Sequence, residues 1–269
     1  MKAAIILPQA FLKYGAHSDY HMALAHLIGK PGFEEYTEFY TNVGKDPNKF
    51  LMMDTGLIEG DARPIEELAV KAQQIHADEM ALNDVFMDRE GTLRETWDAL
   101  HCLAKTGLDI RRMAIPQGNT LEDWLSCARE MLKWKASINT IGIPKVLVKL
   151  EGTMARLHAL TQIGEEIRDA GLDIHLLGCW ESPLELSVIE AAIHAGNCVP
   201  VRGVDSAIAY AYARESIRIT DDERPSGAIN FAATTCDEEV LRYNIHIFEK
   251  EAMDKESRHG GATNVLTIM

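Results

Sequence analysis

Short apolar runs alternate with longer amphipathic stretches along almost the whole chain. The runs are too short for helices and mostly end in Gly, Pro, Asp or Asn, so they predict strands. The amphipathic stretches begin at helix-start signals such as Pro64 and Thr120, each followed by acidic residues. The predicted strands cover about residues 3–7, 50–54, 79–84, 112–116, 140–143, 173–178 and 198–204, and the predicted helices cover about 64–76, 89–106, 120–135, 153–170 and 183–195.

A regular strand-then-helix repeat implies parallel strands joined by right-handed crossovers. No GxGxxG follows the first strand, so the pattern favours the α/β class in the form of a (β/α)8 TIM-type barrel over an open doubly wound sheet. The segment 228–232 is the only candidate for the eighth strand, and a final helix is predicted at about 237–253. We expect one barrel domain over 1–253, a long loop or lid at 8–49 after the first strand, and a flexible tail at 254–269.

Composition limits the classes of function. Hydrophobic residues make up 46% of the 269 positions, which is ample for a buried core. Lys and Arg number 27 against 41 Asp and Glu, a formal net charge of −14, so nucleic-acid binding would need a local basic patch or a basic partner. No apolar run approaches the roughly 20 residues that span a bilayer, and the start of the chain is too short for a signal peptide. We therefore expect a cytoplasmic protein without membrane contact.

The cysteines and histidines show no ligand spacing. The five cysteines are an odd number and form no CxxC pair, and the ten histidines form no HExxH or HxH motif. A disulfide framework and a sulfur-rich zinc site are therefore not predicted, and neither a metal nor a cofactor is expected.

Polar side chains stand at or just after the ends of four predicted strands. They are Asp54, Asp84, Gln117 and Asp205. In a barrel of this type, catalytic groups lie at the carboxyl ends of the strands, so we expect these four to share one pocket. Each aspartate also has a structural interpretation: Asp54 as a turn residue, and Asp84 and Asp205 as caps of the helices that follow. Capping explains any one of them and explains the set less well.

Two carboxylates in one apolar cavity can divide the chemical work, with one as nucleophile and the other as acid or base. Displacement at an anomeric carbon requires such a pair, because the transition state is cationic and the leaving base needs a proton partner. A further Asp and a Gln suit the edge of a purine-like ring, which presents both donors and acceptors. The residues thus support a nucleoside-type pocket as a hypothesis.

Five segments, in chain order, resemble motifs of the tRNA-guanine transglycosylases and the related DNA transglycosylases that insert 7-deazaguanines. Met53–Gly56 looks like their Asp-Ser/Asn-Gly segment, and Ala77–Asp84 is similar to the segment whose last aspartate holds the base edge. The remaining three resemble the Gln-Gly, glycine and apolar-Gly segments of the next three strands: Ile115–Gly118, Thr140–Ile143 and His175–Gly178.

The resemblance implies a role for each of these positions. Asp205 would be the nucleophile that attacks C1′ and holds a covalent glycosyl-enzyme, and Asp54 would deprotonate the incoming heterocycle. Asp84 and Gln117 would read the edge of the base. The pocket wall would consist of Gly118, Gly142, Ile143, Leu177 and Gly178.

Three features depart from the family pattern. The clustered cysteines and histidine of a zinc subdomain are absent from the sequence, and the basic face used for a nucleic-acid backbone is scarcely visible. Leu57 and Ile58 stand where a base-stacking aromatic is expected, which leaves Phe86 or Trp180 as substitutes unless each is a core residue. The DNA-directed relatives are therefore the closer comparison.

The expected function is the replacement of a purine, guanine, in DNA by a 7-deazaguanine. We expect a protein partner or a homodimer to assist DNA binding. Two alternatives remain open. One is an N-glycosidase or base-exchange enzyme that acts on a free nucleoside, a nucleotide or tRNA. The other is an inactive barrel that serves as a binding subunit.

Overall fold

A computed structural model describes residues 1–56, 63–179 and 182–253. It contains eight parallel strands, hydrogen-bonded in the order β1-β8-β7-β6-β5-β4-β3-β2. The first and last strands in this order contact each other, so the sheet curls into a nearly closed barrel. The strands are β1 (Lys2–Ile5), β2 (Tyr20–Leu24), β3 (Phe50–Asp54), β4 (Glu79–Ala81), β5 (Arg111–Ala114), β6 (Thr140–Pro144), β7 (Asp173–Leu177) and β8 (Gly203–Ser206).

Helices alternate with the strands, which confirms the predicted (β/α)8 class. The helices are α1 (Glu34–Gly44), α2 (Ile65–Gln74), α3 (Arg89–Thr106), α4 (Leu121–Leu132), α5 (Val146–Glu151), α6 (Ala155–Asp169), α7 (Leu184–His194), α8 (Ile208–Ala213) and α9 (Glu238–Met253), with a 3-10 helix at Gln9–Tyr14. Within the described residues, no helix is long and apolar enough to cross a membrane.

Local sequence explains where individual helices begin and end. The side chain of Asp88 accepts a hydrogen bond from the Gly91 N–H at the start of α3, and Thr120 accepts one from the Asp123 N–H at the start of α4. Gly107 ends α3 at a φ of 66°, a left-handed conformation that costs glycine little. These caps fix the helices that follow β4 and β5, and so fix the two loops that lead into them.

The segment 8–49 differs from the predicted lid. It contains the 3-10 helix, the strand β2 and the helix α1. All five residues of β2 are buried, and its sequence therefore lacks the apolar-polar alternation of a half-buried strand. Tyr20 and His21 also interrupt the apolar run, because both are polar residues held in the interior by hydrogen bonds.

The eighth strand is therefore β2 near the start of the chain, and the prediction of a strand at 228–232 was wrong. That segment lies in the loop between α8 and α9. Arg214 fixes the loop by donating from Nη1 to the Ala228 carbonyl at 2.5 Å and from Nη2 to the Gly227 carbonyl at 3.0 Å. The predicted strand at 198–204 is shifted as well, since β8 begins only at Gly203. The predicted tail at 254–269 lies outside the described residues.

Candidate functional site at the carboxyl ends of the strands

The predicted site residues lie at the end of the barrel where the strands finish. Asp54 is the last residue of β3 and Leu177 the last of β7, while Asp205 lies within β8. Asp84 and Gln117 each stand three residues beyond a strand, after β4 and β5. This is the end at which TIM barrels carry their active sites.

Asp84 and Gln117 form a buried pair. Gln117 Nε2 donates to Asp84 Oδ2 at 2.6 Å, and Gln117 Oε1 accepts from the Met87 N–H at 3.3 Å. Burial raises the pKa of the Asp84 carboxyl to about 7, and the hydrogen bond from Gln117 lowers it only in part. Near neutral pH the Asp84 carboxyl is therefore present in both forms, and it can donate to or accept from a ligand.

Asp205 is held through one carboxylate oxygen. Its Oδ1 lies 2.9 Å from His175 Nε2 and accepts from the Gly178 N–H at 3.2 Å. Within the described part of the chain, Oδ2 makes no hydrogen bond. The residue is 6% exposed, so its charge sits in a largely dry environment. A carboxylate anchored at one oxygen keeps the other oxygen available for attack.

The capping interpretations of the two aspartates are not observed. The cap of α3 is Asp88, and Asp84 bonds to Gln117. Near the start of α8, Ser206 Oγ accepts the N–H of Ile208, while the Asp205 side chain turns toward β7. For Asp54, the structure adds that its carbonyl accepts the Ala25 N–H at 3.2 Å and that the residue is half-buried.

The predicted wall glycines have separate structural reasons. A Cβ on Gly142 would lie 2.8 Å from Leu177 Cδ1, so this glycine makes room for the Leu177 side chain inside the barrel. A Cβ on Gly118 would lie 2.5 Å from the Trp124 backbone nitrogen, so Gly118 allows α4 to approach its strand. Ile143 is fully buried beside Gly142, and alternation along the strand turns its side chain toward the helices.

Gly178 has a φ of 70° and connects the site to a buried ion pair. Its carbonyl accepts from Arg156 Nη1 at 2.8 Å, and Arg156 Nη2 lies 2.6 Å from Glu185 Oε2. Both charged side chains are almost completely buried, at 0% and 3% exposure. The residue that donates its N–H to Asp205 is therefore also held through its carbonyl, by Arg156 of α6, which Glu185 of α7 pairs in turn.

Three residues at the site have no role in the sequence-based prediction. His175 contacts Asp205, Tyr20 contacts His175, and Arg202 contacts Tyr20. The available signal for His175 was its position two residues before Leu177, which places both on the same face of β7. Tyr20 gives no signal, because its strand falls within the segment predicted as a loop.

Arg202 stands three residues before Asp205 in the chain. The structure pairs it with carboxylates: Nη2 with Glu79 Oε2 in a very short contact, and Nη1 with Asp173 Oδ2 at 3.2 Å. Its guanidinium also lies 4.8 Å from the centre of the Phe50 ring. Arg202 is thus part of the barrel floor, below Asp205.

Phe86 and Trp180 are the two candidates for the base-stacking aromatic, and the structure describes only Phe86. Phe86 is 46% exposed in the loop after Asp84, so it is not a core residue. Trp180, Leu57 and Ile58 lie outside the described residues. Just past the carboxyl end of β2, the Phe231 ring packs edge-on against His26 with 5.9 Å between centres, so the loop between α8 and α9 reaches this end of the barrel. Among the described side chains, no group of three or more His, Cys, Asp or Glu is placed to hold a metal ion.

The fold and the position of the polar cluster together define a (β/α)8 barrel with a candidate site at the carboxyl ends of its strands. No family model and no curated protein matches the chain. Solved structures do match its fold. A mandelate oxidase variant bound to 3,3,3-trifluoro-2,2-dihydroxypropanoic acid is 11% identical with a TM-score of 0.53, over 94% of this chain and 72% of that one.

A mandelate oxidase variant with (S)-mandelic acid is 10% identical with a TM-score of 0.50, over 93% of this chain and 73% of that one. N-acetylneuraminate lyase from Mycoplasma synoviae is 12% identical with a TM-score of 0.45, over 77% of this chain and 68% of that one. At these identities the likeness to the two mandelate oxidase structures shows the barrel fold alone.

Proposed function

We propose that this barrel is an enzyme of the transglycosylase type, which exchanges a base at an anomeric carbon through a covalent intermediate on Asp205. The observation that carries the proposal is the one-sided anchoring of the Asp205 carboxylate. The His175 ring and the Gly178 N–H hold Oδ1, and Oδ2 makes no hydrogen bond within the described residues. A glycosidic nucleophile needs this arrangement, since an ionised oxygen must face the anomeric carbon at a fixed distance.

In the proposed reaction, Asp205 Oδ2 attacks C1′ as the bond from C1′ to the glycosidic nitrogen of guanine breaks. Asp54 gives a proton to the departing base. The same group then takes the proton from the incoming 7-deazaguanine, whose nitrogen attacks C1′ and releases Asp205. Asp84 and Gln117 bind the edge of each base, and the pKa of about 7 at Asp84 allows that carboxyl to donate or accept.

The proposed substrate is guanine in DNA, and a protein partner or a second copy of the chain would supply the basic surface. The net charge of −14 supports the need for a partner. The same charge favours a second candidate, base exchange or hydrolysis at a free nucleoside or nucleotide, which needs no long phosphate backbone. For duplex DNA the base must be flipped from the stack, at a cost of a few kcal/mol.

The test incubates the protein with a labelled 7-deazaguanine and measures its incorporation into duplex DNA, single-stranded DNA, tRNA and free nucleosides. Mass spectrometry of the intact protein then detects the glycosyl adduct. Wild type should incorporate label, and Asp205→Ala should form no adduct. Asp169→Asn, on the exposed end of α6, is the matched control and should retain activity. Label in nucleosides alone would select the second candidate. Incorporation that survives Asp205→Ala would refute the mechanism.

A further inference from the structure

A chain of buried hydrogen bonds leads from the barrel floor to the proposed nucleophile. Arg202 Nε donates to the Tyr20 hydroxyl at 3.1 Å, the hydroxyl lies 2.8 Å from His175 Nδ1, and His175 Nε2 lies 2.9 Å from Asp205 Oδ1. Tyr20 is 1% exposed and His175 is fully buried, so water does not compete for these groups.

The Arg202 guanidinium, at the start of this series, sets the direction of every hydrogen bond in it. A guanidinium N–H can only donate, so the Tyr20 oxygen accepts from Arg202. Burial raises the pKa of Tyr20, which keeps its proton on. Within the described residues, that proton has one acceptor in reach, His175 Nδ1. The ring nitrogen Nδ1 therefore carries no proton, and Nε2–H donates to Asp205.

Reversing the hydrogen bond between Tyr20 and His175 would leave the buried Tyr20 hydroxyl proton without an acceptor. If His175 carried a proton on Nδ1, the Tyr20 oxygen would accept twice and the Tyr20 hydroxyl would have no acceptor. An unsatisfied buried donor is costly, so the observed geometry selects neutral His175 in the Nε2–H form. The donated proton in turn requires Asp205 Oδ1 to accept.

The interior is shaped to hold this chain. A Cβ on Gly203 would lie 2.4 Å from Tyr20 Cε1, so the absence of a side chain on β8 admits the tyrosine ring. Glu79 and Asp173 balance the charge of Arg202, which remains a permanent donor. The Gly178 N–H adds a second donor to Asp205 Oδ1 from the β7–α7 loop.

We propose that His175 and Tyr20 are positioning residues, which fix the orientation of the Asp205 carboxyl group and make its Oδ1 the acceptor, through a one-way series of hydrogen bonds that starts at Arg202. The inference rests on the proposed role of Asp205 as nucleophile. It adds that the orientation of this carboxylate is set from the floor of the barrel, before any substrate binds. With Nδ1 bonded to Tyr20 and Nε2 bonded to Asp205, neither ring nitrogen of His175 is left to exchange a proton with the substrate.

The first experiment needs no substrate. Proteins labelled with 15N-histidine are compared by NMR, and the His175 signals are those missing from His175→Gln. Wild type should show the Nε2–H form of His175 at neutral pH. Tyr20→Phe should introduce the Nδ1–H form or the imidazolium, while Tyr40→Phe, which removes a buried hydroxyl that contacts Tyr36, should not.

A wild-type Nδ1–H form, or a His175 signal unchanged by Tyr20→Phe, would overturn the inference. The second experiment measures formation of the glycosyl-enzyme. His175→Leu removes a donor to a charged acceptor and should slow this step about 10- to 100-fold without changing KM for the base. His175→Gln retains a side-chain N–H and should recover part of the loss.

The two proposals fail in different ways. If the tautomer results hold and wild type forms no adduct on any substrate, the proposed function fails and the orientation of Asp205 stands. If the adduct forms and His175→Leu makes it at the wild-type rate, the positioning role fails and the proposed function stands.

Discussion

Asp84 should make the stability of the fold depend on pH, and Asp84→Asn should remove that dependence. Burial raises the pKa of Asp84 from an ordinary 3.8 to about 7 in the folded chain. The folded state thus holds this proton more tightly than the unfolded chain does. The stabilisation is fully present below about pH 3.8 and is lost as the pH rises through about 7.

The two pKa values differ by an amount that corresponds to about 4 kcal/mol, of which about 2.5 kcal/mol falls between about pH 5 and 8. An asparagine amide has nearly the same shape, can still accept from Gln117 Nε2, and is neutral at every pH in this range. The free energy of unfolding of Asp84→Asn should therefore rise relative to wild type as the pH increases.

The assay is urea unfolding of both proteins at half-unit steps from about pH 5 to 8, with the difference in unfolding free energy plotted against pH. Contributions of the other titrating groups cancel in this difference. Gln117→Leu provides a second check, because it removes the hydrogen bond that lowers the pKa of Asp84 and should move the transition to higher pH. A difference that stays flat over the whole range would refute the reasoning.

Three further outcomes follow from the packing. Arg156→Met leaves the Glu185 carboxylate buried alone and should lower the unfolding free energy by about 3–5 kcal/mol, most of which the added change Glu185→Leu should restore in chemical denaturation. Gly203→Ala should cost about 1–3 kcal/mol in thermal unfolding, because the new Cβ meets the Tyr20 ring at 2.4 Å and the strand has no space to yield. Phe86→Ala should raise KM for the incoming base in the exchange assay while changing stability by less than about 0.5 kcal/mol, since the ring is 46% exposed. Unchanged stability in the first two variants, or an unchanged KM in the third, would contradict these expectations.

The parts of the fold that were predicted correctly are those with a strong local signal. Thr120 followed by acidic residues marks the start of α4, and Gly107 marks the end of α3. The strand β2 was missed because a strand buried on both faces has no alternation, and because Tyr20 looks polar until its hydroxyl finds a partner in the interior.

For the candidate site, the sequence is enough to predict where the residues lie, but it does not decide between their possible roles. Placing Asp54, Asp84, Gln117 and Asp205 at strand ends needed only the strand pattern and the rule that parallel strands end at one side of the barrel. Choosing between a cap and a functional role for Asp205 needed its hydrogen-bond partners. The sequence left both interpretations open, and in the structure the Asp205 side chain contacts His175 on β7, while α8 begins without a side-chain cap.

Local sequence is enough to establish the repeat of strand and helix, the (β/α)8 class and the end of the barrel at which acidic and amide groups collect. These properties depend on neighbours within one or two turns or strands. The environment of Asp205 was decided only by tertiary structure, because its support comes from residues far apart in the chain. His175 and Tyr20 are separated by 155 positions and Tyr20 and Arg202 by 182. Closing the barrel brings these side chains together, and a hydrogen bond has a direction only once its donor and acceptor meet.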